Sequence, residues 1–464
     1  MPSLTQRYLG PAALAVILLA ACSGTSSKKA VAEQVDSTYA VAPVAEIRSR
    51  PIFQNVAEPS AALRRFSNGT IGSETTPQNA SGPAVKIGLL LPMDGPSAVL
   101  GEAMLDAAVL AMNDLYLAMP EARRASARIV LVPKSAGQDA SSAARAAKEA
   151  IQDGAHILLG PVFSQGVSAA AHEAKSRRVP MLAFSNNAAV AGNGVYLLGF
   201  LPEQQIARIV SFAQSQGKRR IAALLPDDDY GKSIHAELRR QLSGGRADLT
   251  SVAFYSAGDD DLSPQLATLM GRPALRLPPP GKTPDPRSKL ATLWSEDKVR
   301  EHRAQPLPFD ALLIPQGGEA LARLAKQLPA YGIDASRVMI LGSGQWDDPQ
   351  TASLPALEGA YFAGSTPQKR DQFEMRFRSH FGYAPPRIAS LAYDAAALAV
   401  SLGLTPGAAD YSARALTDAA GFNGPADGIF RLMPDGANER GLAVLKVTPR
   451  GFAVVEAAPT TFGR

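Results

Sequence analysis

From Val85 onward the chain alternates short, continuously apolar segments with segments whose apolar residues recur at helical spacing. The first such pair is VKIGLLLP at 85–92 and the helical pattern from Gly101 to Leu117. Further apolar segments lie at 127–133, 156–161, 180–185, 196–200, 220–226, 250–256, 309–315, 338–343 and 359–364. Strands that are apolar at every position are buried on both faces, as in parallel sheets covered by helices. The sequence therefore predicts an α/β fold with mostly parallel, helix-covered sheets.

The number of these units predicts two lobes, because about 380 residues exceed what one sheet comfortably holds. We expect lobe 1 at about 85–201 and 346–420, and lobe 2 at about 202–345 and 421–464. The end of the chain differs from the rest. Segments 428–436, 441–447 and 452–456 are typical of antiparallel strands, with turns at Asp435-Gly436 and Arg450-Gly451.

The N-terminus has a charged start at Arg7, an apolar run from Ala12 to Leu19 and small residues before Cys22. This layout is typical of a secretory signal, and the run is too short to span a bilayer. Leu19-Ala20-Ala21-Cys22 resembles the lipobox of bacterial lipoproteins, which implies a signal peptide at 1–21 and lipid attachment at Cys22. Ser23 is not acidic, which in such lipoproteins implies the outer membrane, facing the periplasm. The alternative is an ordinary signal peptide with a chance cysteine.

Two stretches interrupt the pattern. Residues 22–84 are rich in Ala, Ser, Gly and Pro without a sustained period, so they predict a flexible linker. Residues 258–308 hold an acidic run, a proline-rich segment and a charged helical pattern. They are longer than a usual connection, so we expect a surface insertion with few core residues. The sequence leaves two interpretations of this stretch, a tolerated surface insertion without a binding role and a segment that binds a partner.

The residues that would signal catalysis or a metal do not assemble into a motif. His172-Glu173 is followed by Ser176 where a zincin needs a second histidine, and Arg276 stands where a P-loop before Gly281-Lys282-Thr283 needs glycine. Cys22 is the only cysteine, so no intramolecular disulfide forms. The net charge of +5 is too small and scattered for nucleic-acid binding. We expect no enzyme, no cofactor and no metal site.

The carboxyl ends of the predicted strands carry small, hydroxyl and amide residues. In open parallel sheets ligands bind beyond these ends, where backbone N–H groups and helix N-termini face a crevice. Alternatively, such residues are only caps and turn formers. The candidate cleft residues are Asp94, Gly95, Ser164, Ser185, Asn186, Asn187, Tyr230, Gln316, Gln345 and Trp346.

Several segments carry a family resemblance. KIGLLLPMDGPSAVLGEAMLDAAVLAMND (86–114), HILLGPVFSQGVSA (156–169) and FDALLIPQGGEAL (309–321) resemble type I periplasmic binding proteins of the Leu/Ile/Val-receptor class. The resemblance covers 85–464 and implies a two-lobed, hinged clamp. Within that superfamily, ILLGPVFS and the segment 197–226 resemble the penicillin-binding protein activator lipoproteins. This implies a non-catalytic outer-membrane lipoprotein whose partner is a peptidoglycan synthase.

The alternative function is an ABC-transporter receptor for a small polar ligand such as an amino acid. Amino-acid receptors pair the ligand's ammonium with an acid, because a buried ammonium without a counter-charge is costly. Here the corresponding loop reads Gly342-Ser343-Gly344-Gln345-Trp346, and Asp347 and Asp348 come only afterwards. We therefore expect a cleft that does not bind free branched-chain amino acids tightly.

Cys22→Ser tests the predicted anchor. The variant should leave the membrane fraction for the soluble periplasm, because the lipid is the expected attachment to the bilayer. Fractionation of cells after a salt wash measures this. A variant that stays with the membranes would show that another part of the chain holds it there.

Overall fold

The structure is a computed structural model that describes residues 50–51, 84–120, 128–256, 258–272, 300–301, 303–404 and 408–463. The predicted signal peptide, Cys22 and most of the predicted linker lie outside these residues. The strands are β1 (Arg50–Pro51), β2 (Val85–Leu91), β3 (Ile129–Ser135), β4 (Ile157–Leu159), β5 (Met181–Ala183), β6 (Val195–Leu197), β7 (Arg220–Pro226), β8 (Asp248–Tyr255), β9 (Ala311–Leu313), β10 (Met339–Gly342), β11 (Tyr361–Gly364), β12 (Phe422–Gly424), β13 (Gly428–Leu432), β14 (Asn438–Arg440), β15 (Ala443–Thr448) and β16 (Gly451–Glu456). The helices are α1 (Ala98–Ala118), α2 (Ala140–Gln152), α3 (Ser164–Arg177), α4 (Pro202–Ser215), α5 (Asp229–Leu242), α6 (Ser263–Met270), α7 (Gly318–Gln327), α8 (Pro349–Ala352), α9 (Pro367–Phe381), α10 (Ala389–Gly403) and α11 (Ala413–Leu416).

Lobe 1 is built on a parallel sheet in the order β3-β2-β4-β5-β6. Its strands are buried on both faces, as their continuous apolar sequences predict. Along β2, Leu89 and Leu91 belong to a core shared with α1 and α10, whereas Leu90 belongs to a core shared with α2 and α3. The alternation of side chains along one strand thus supplies both cores.

Lobe 2 is built on a sheet in the order β16-β15-β11-β10-β9-β7-β8. The strands from β11 to β8 pair in parallel, and β15 and β16 add antiparallel strands at one edge. Along β7, Leu224 and Leu225 belong to cores on opposite faces of the sheet. The predicted fold class, with mostly parallel sheets and C-terminal antiparallel strands, is confirmed.

The lobe boundaries differ from the expected ones at two places. Strand β11 belongs to the sheet of lobe 2, although it was expected in lobe 1. Strands β12 to β14 form a separate sheet with β1, and Phe422 and Phe430 lie in the core of lobe 1. The burial of these aromatic rings against lobe 1 is the physical reason for the correction. Lobe 1 therefore comprises about 84–201 and 366–440, and lobe 2 about 202–365 and 441–456.

Helix α1 is long and apolar because it is a core helix. The stretch Gly95–Ala118 has the length and composition of a membrane span. In the described part of the chain, however, Met104 and Leu110 lie in the core of lobe 1. Asp114 of the same helix is buried and accepts a hydrogen bond from the Tyr393 hydroxyl at 2.5 Å. The apolar surface of α1 is therefore used within lobe 1.

The first part of the predicted insertion at 258–308 contributes to the core. Leu262, Leu266 and Leu269 on and beside α6 are buried in lobe 2, and so is Leu307. The expectation that few apolar residues of this stretch fit a core was therefore wrong for 262–270. Residues 273–299, which hold the three consecutive prolines, lie outside the described residues.

Candidate functional site

A cavity of about 740 Å³ lies between the two lobes, beyond the carboxyl ends of their parallel strands. The wall from lobe 1 consists of Gln138, Val162, Phe163, Ser164, Gln165, Phe184, Ser185, Asn186, Phe200, Arg387, Ile388 and Leu391. The wall from lobe 2 consists of Pro202, Gln205, Tyr230, Gly317, Gly318, Gly344, Gln345, Asp347, Asp348, Gly364, Ser365 and Leu442. In open α/β sheets ligands generally bind beyond the carboxyl ends of the strands, and this cavity has that position.

The two kinds of lining residue suit a small organic ligand. Three phenylalanine rings and several aliphatic side chains give the cavity apolar surface, and five side-chain amides supply donors and acceptors. Helix α3 also begins at the cavity, with Ser164 as its first residue. A concave, largely apolar site with a few convergent polar groups is typical of small-molecule binding sites.

Five of the sequence-predicted residues line this cavity, namely Ser164, Ser185, Asn186, Tyr230 and Gln345. Two of them are held by local hydrogen bonds. The Ser185 hydroxyl accepts from the Asn187 backbone N–H at 3.2 Å, and Gln345 Oε1 accepts from the Gly317 N–H at 3.1 Å. The second of these bonds joins the loops that follow β9 and β10.

Tyr230 contributes a neutral hydroxyl group. Its Oη lies 3.2 Å from Ser343 Oγ and 3.3 Å from the Pro315 carbonyl oxygen. Burial raises the pKa of Tyr230 to about 12. The hydroxyl therefore keeps its proton at neutral pH and acts as a hydrogen-bonding group.

Trp346 and Gln316, also candidates, do not line the cavity. Trp346 is fully buried in the core of lobe 2, and its indole N–H donates to the Gln316 carbonyl at 2.9 Å. A Cβ atom at Gly342 would collide with the indole ring, so the glycine provides the space that the ring occupies. Trp346 is therefore a core residue, contrary to the expectation that it would face the cleft.

Asp94, Gly95 and Asn187 also lie outside the cavity lining. The Asp94 carboxylate accepts a hydrogen bond from the Ser135 hydroxyl at 2.7 Å, so it joins two strand ends at the surface. Asn187 Oδ1 accepts from the Ala189 N–H at 3.0 Å and caps a short helical turn. For these residues the interpretation as caps and surface contacts is the better one.

Sequence reasoning missed Arg387, which lines the cavity. Its Nε donates to Asp347 Oδ2 at 2.8 Å and its Nη2 to Asp427 Oδ1 at 2.9 Å. Its Nη1 donates to Ser390 Oγ at 2.8 Å. Arg387 precedes a helix and follows no strand, so the rule that selects strand ends did not include it.

The two aspartates that follow Trp346 have different environments. The Asp347 side chain is only 1% exposed and forms ion pairs with Arg370 and Arg387. Asp348 Oδ1 accepts from the Gln350 N–H at 2.7 Å and caps α8. The buried acid nearest to the ligand loop is therefore already neutralised by two guanidinium groups of the protein.

A second buried group of charges contains Asp394 and Asp427, and Asp427 is bonded to Arg387 of the cavity lining. Asp394 accepts hydrogen bonds from the N–H groups of Ala426 at 2.9 Å and Asp427 at 3.1 Å. Burial, together with the charge of Asp427, raises the pKa of Asp394 to about 7. Burial opposes ionisation of Asp427 as well, but Arg387 and Arg440 outweigh it and lower its pKa. Asp394 is therefore protonated near neutral pH more readily than Asp427.

Among the residues that the structure describes, no group of three or more histidine, cysteine, aspartate or glutamate side chains could hold a metal ion. The charged side chains near the cavity are engaged with one another or with helix ends. The arrangement is suited to binding, with hydrogen-bonding groups on both lobes and apolar side chains between them.

A family model described as periplasmic binding protein matches residues 84–452. A curated relative, an uncharacterised protein of Rickettsia prowazekii, is 26% identical over 171 residues. This match covers 37% of the chain and 43% of that relative, so the chain spans less than half the length of this curated relative.

Solved structures share the fold at low sequence identity. A Rhodospirillum rubrum protein described as a branched-chain amino acid ABC transporter is 18% identical, with a TM-score of 0.64 over 80% of this chain and 100% of that chain. A substrate-binding protein of an ABC transporter from Sphaerobacter thermophilus is 19% identical, with a TM-score of 0.61 over 82% and 98%. A leucine-binding protein from Thermotoga maritima is 21% identical, with a TM-score of 0.55 over 81% and 99%. At these identities the likeness establishes the fold alone.

Asp394→Asn should reduce the dependence of stability on pH. The raised pKa of Asp394 means that the folded protein retains a proton which the unfolded chain releases near its ordinary pKa of 3.8. This contribution to the free energy of unfolding is complete below about pH 4 and is lost as the pH rises through about 7, with a slope of up to about 1.4 kcal/mol per pH unit. Urea unfolding from pH 4 to 8 should give a steeper decline for the wild type than for Asp394→Asn. The exposed Asp371→Asn variant is the control, and parallel curves for wild type and Asp394→Asn would contradict the assignment.

Proposed function

The chain belongs to the periplasmic binding protein family, and on that premise we propose that it is a non-catalytic, solute-binding protein of the ABC-transporter type. In this proposal the cavity between the lobes binds a small molecule on the periplasmic side of the cell envelope. Cys22 anchors the protein to the outer membrane. The ligand is a molecule with an apolar body and a polar end.

The observation that carries this proposal is the composition of the cavity. Both lobes contribute hydrogen-bonding groups, with Ser164 and Asn186 on one wall and Gln205 and Gln345 on the other. The rings of Phe163 and other apolar side chains supply the remaining surface. Since each lobe provides only part of the site, a ligand that contacts both walls favours their closure.

The charge distribution argues against an ordinary amino-acid pocket. Asp347 is engaged by two arginines, and Gln345 precedes it on the loop as a neutral amide. An ammonium group that entered the cavity would compete with these arginines for Asp347. The leucine-binding relative shares the fold at 21% identity, so its ligand does not transfer to this chain. We therefore propose weak binding of branched-chain amino acids.

A thermal-shift screen tests the solute-binding proposal. The library should contain leucine, isoleucine and valine, their deaminated acids, aromatic carboxylates and neutral polyols. A ligand at a hundredfold excess over its dissociation constant stabilises the folded protein by about 2.7 kcal/mol. We expect at least one non-amino-acid class to raise the melting temperature more than the branched-chain amino acids do.

Matched variants locate the binding. Ser164→Ala with Asn186→Ala removes two polar groups of the cavity and should abolish the ligand-induced shift. Ser168→Ala with Asn187→Ala changes neighbouring residues that do not line the cavity and should keep the shift. A screen without any stabilising solute, or a shift of equal size in both double variants, would contradict the proposal.

A second candidate function is activation of a peptidoglycan synthase, a penicillin-binding protein, by a lipid-anchored regulator. The engagement of Asp347 with Arg370 and Arg387 favours it, because a regulator needs no free charge for a ligand. The segment resemblance at 197–226 and the lipobox-like sequence at Cys22 support it too. In this case the contact surface lies on the lobes or on residues 273–299.

Capture of partners from native membranes separates the two functions. The full-length, anchored protein is cross-linked in cells, purified, and its partners are identified by mass spectrometry. Enrichment of ABC-transporter permeases supports solute delivery, whereas enrichment of peptidoglycan synthases supports activation. A variant with a Gly/Ser replacement of residues 273–299 keeps Leu262 to Leu269 in the core and shows whether the omitted segment makes the contact.

A further inference from the structure

We infer that the ion pairs of Asp347 with Arg370 and Arg387 position the two walls of the cleft and fix the relative orientation of the lobes when no ligand is bound. Asp347 belongs to lobe 2, whereas both arginines belong to lobe 1. The inference goes beyond solute binding, since it concerns the ligand-free protein.

The Asp347 end of this contact is fixed to lobe 2. Asp347 follows Trp346, whose side chain is fully buried in the lobe 2 core. Its backbone N–H donates to the Gly344 carbonyl at 3.1 Å. The backbone of Asp347 is therefore held in a turn that is anchored in the core of lobe 2.

The Arg387 end is fixed to lobe 1. Nη2 reaches Asp427 in the turn after β12, and Nη1 reaches Ser390 in α10. The Arg387 guanidinium also lies 4.5 Å from the ring centroid of Phe200. The guanidinium group is therefore held by three contacts in addition to its ion pair with Asp347.

These contacts coincide with the segments that connect the lobes. Phe200 lies on the first connection, at 200–202, and Ser365 on the second, at 364–366. The Ser365 hydroxyl accepts from Arg387 Nη2 at 3.2 Å. Arg440, at the start of the third connection, lies 4.7 Å from the Phe200 ring centroid. Arg387 and Phe200 together therefore contact all three connections, and a hinge motion changes the backbone of these connections.

A rotation of one lobe against the other would strain these ion pairs. Such a rotation changes the distance from Asp347 to both guanidinium groups, and the Asp347 side chain is 1% exposed in this arrangement. The pairs restrain the lobes as long as their groups stay shielded from water, because charges that become exposed are stabilised by hydration instead. Low exposure also limits screening by salt. These contacts therefore favour one relative orientation of the lobes in the absence of a ligand.

Distance measurements between spin labels test the inference. Cys22→Ser gives a cysteine-free chain, and Lys148→Cys with Arg239→Cys places one label on an exposed helix position of each lobe. In ligand-free protein we expect one narrow distance distribution. Asp347→Asn should broaden it or shift it by more than about 2 Å, the scale of domain rearrangement.

Two further variants keep the result decisive. Asp348→Asn removes the adjacent charge but retains a capping side chain, so its distribution should match the parent protein. Arg387→Lys keeps the charge but loses the planar fork, and it should also broaden the distribution. Circular dichroism shows whether each variant is folded. If Asp347→Asn does not fold, the distance distribution of Arg387→Lys tests the inference. Unchanged distributions in the folded variants would overturn the inference, whether or not a solute is ever found.

Discussion

Arg387 forms the contact on which the relation between the two lobes depends. It joins Asp347 of lobe 2, Asp427 of lobe 1, and the ring of Phe200 on a connecting segment. Because both carboxylates are almost fully buried, removal of this guanidinium would leave buried negative charge without its full compensation. The same residue lines the cavity, so the geometry of the connections and the geometry of the ligand site are coupled.

Most of the sheet architecture follows from local sequence patterns. The apolar runs at 85–92 and 220–226 are buried on both faces because alternate side chains enter different cores. Such runs are recognisable without any knowledge of distant residues. The local sequence does not show that β12 to β14 belong to lobe 1, because this depends on where Phe422 and Phe430 pack. Long-range packing of this kind leaves no local periodicity.

The residues of the cavity likewise divide into those that the local sequence predicts and those that long-range contacts place there. Ser164, Asn186 and Tyr230 follow strands, and the topology of a parallel sheet brings strand ends together. Arg387 reaches the cavity from a helix start through ion pairs with residues 40 positions away on either side. Trp346 was misplaced because the space left by Gly342 is visible only in three dimensions. Strand order therefore predicts the location of a cleft, while its charges are determined by tertiary contacts.

Native mass spectrometry of the protein released from its own envelope tests whether this cavity holds a small molecule in the cell. Occupancy of the cavity predicts a 1:1 complex with a small organic solute that dissociates when the protein is unfolded. It also predicts that Ser164→Ala with Asn186→Ala is isolated without this solute. Only unliganded protein in gently prepared samples, with no complex after incubation with envelope extract, would contradict the binding of a small molecule in this cavity.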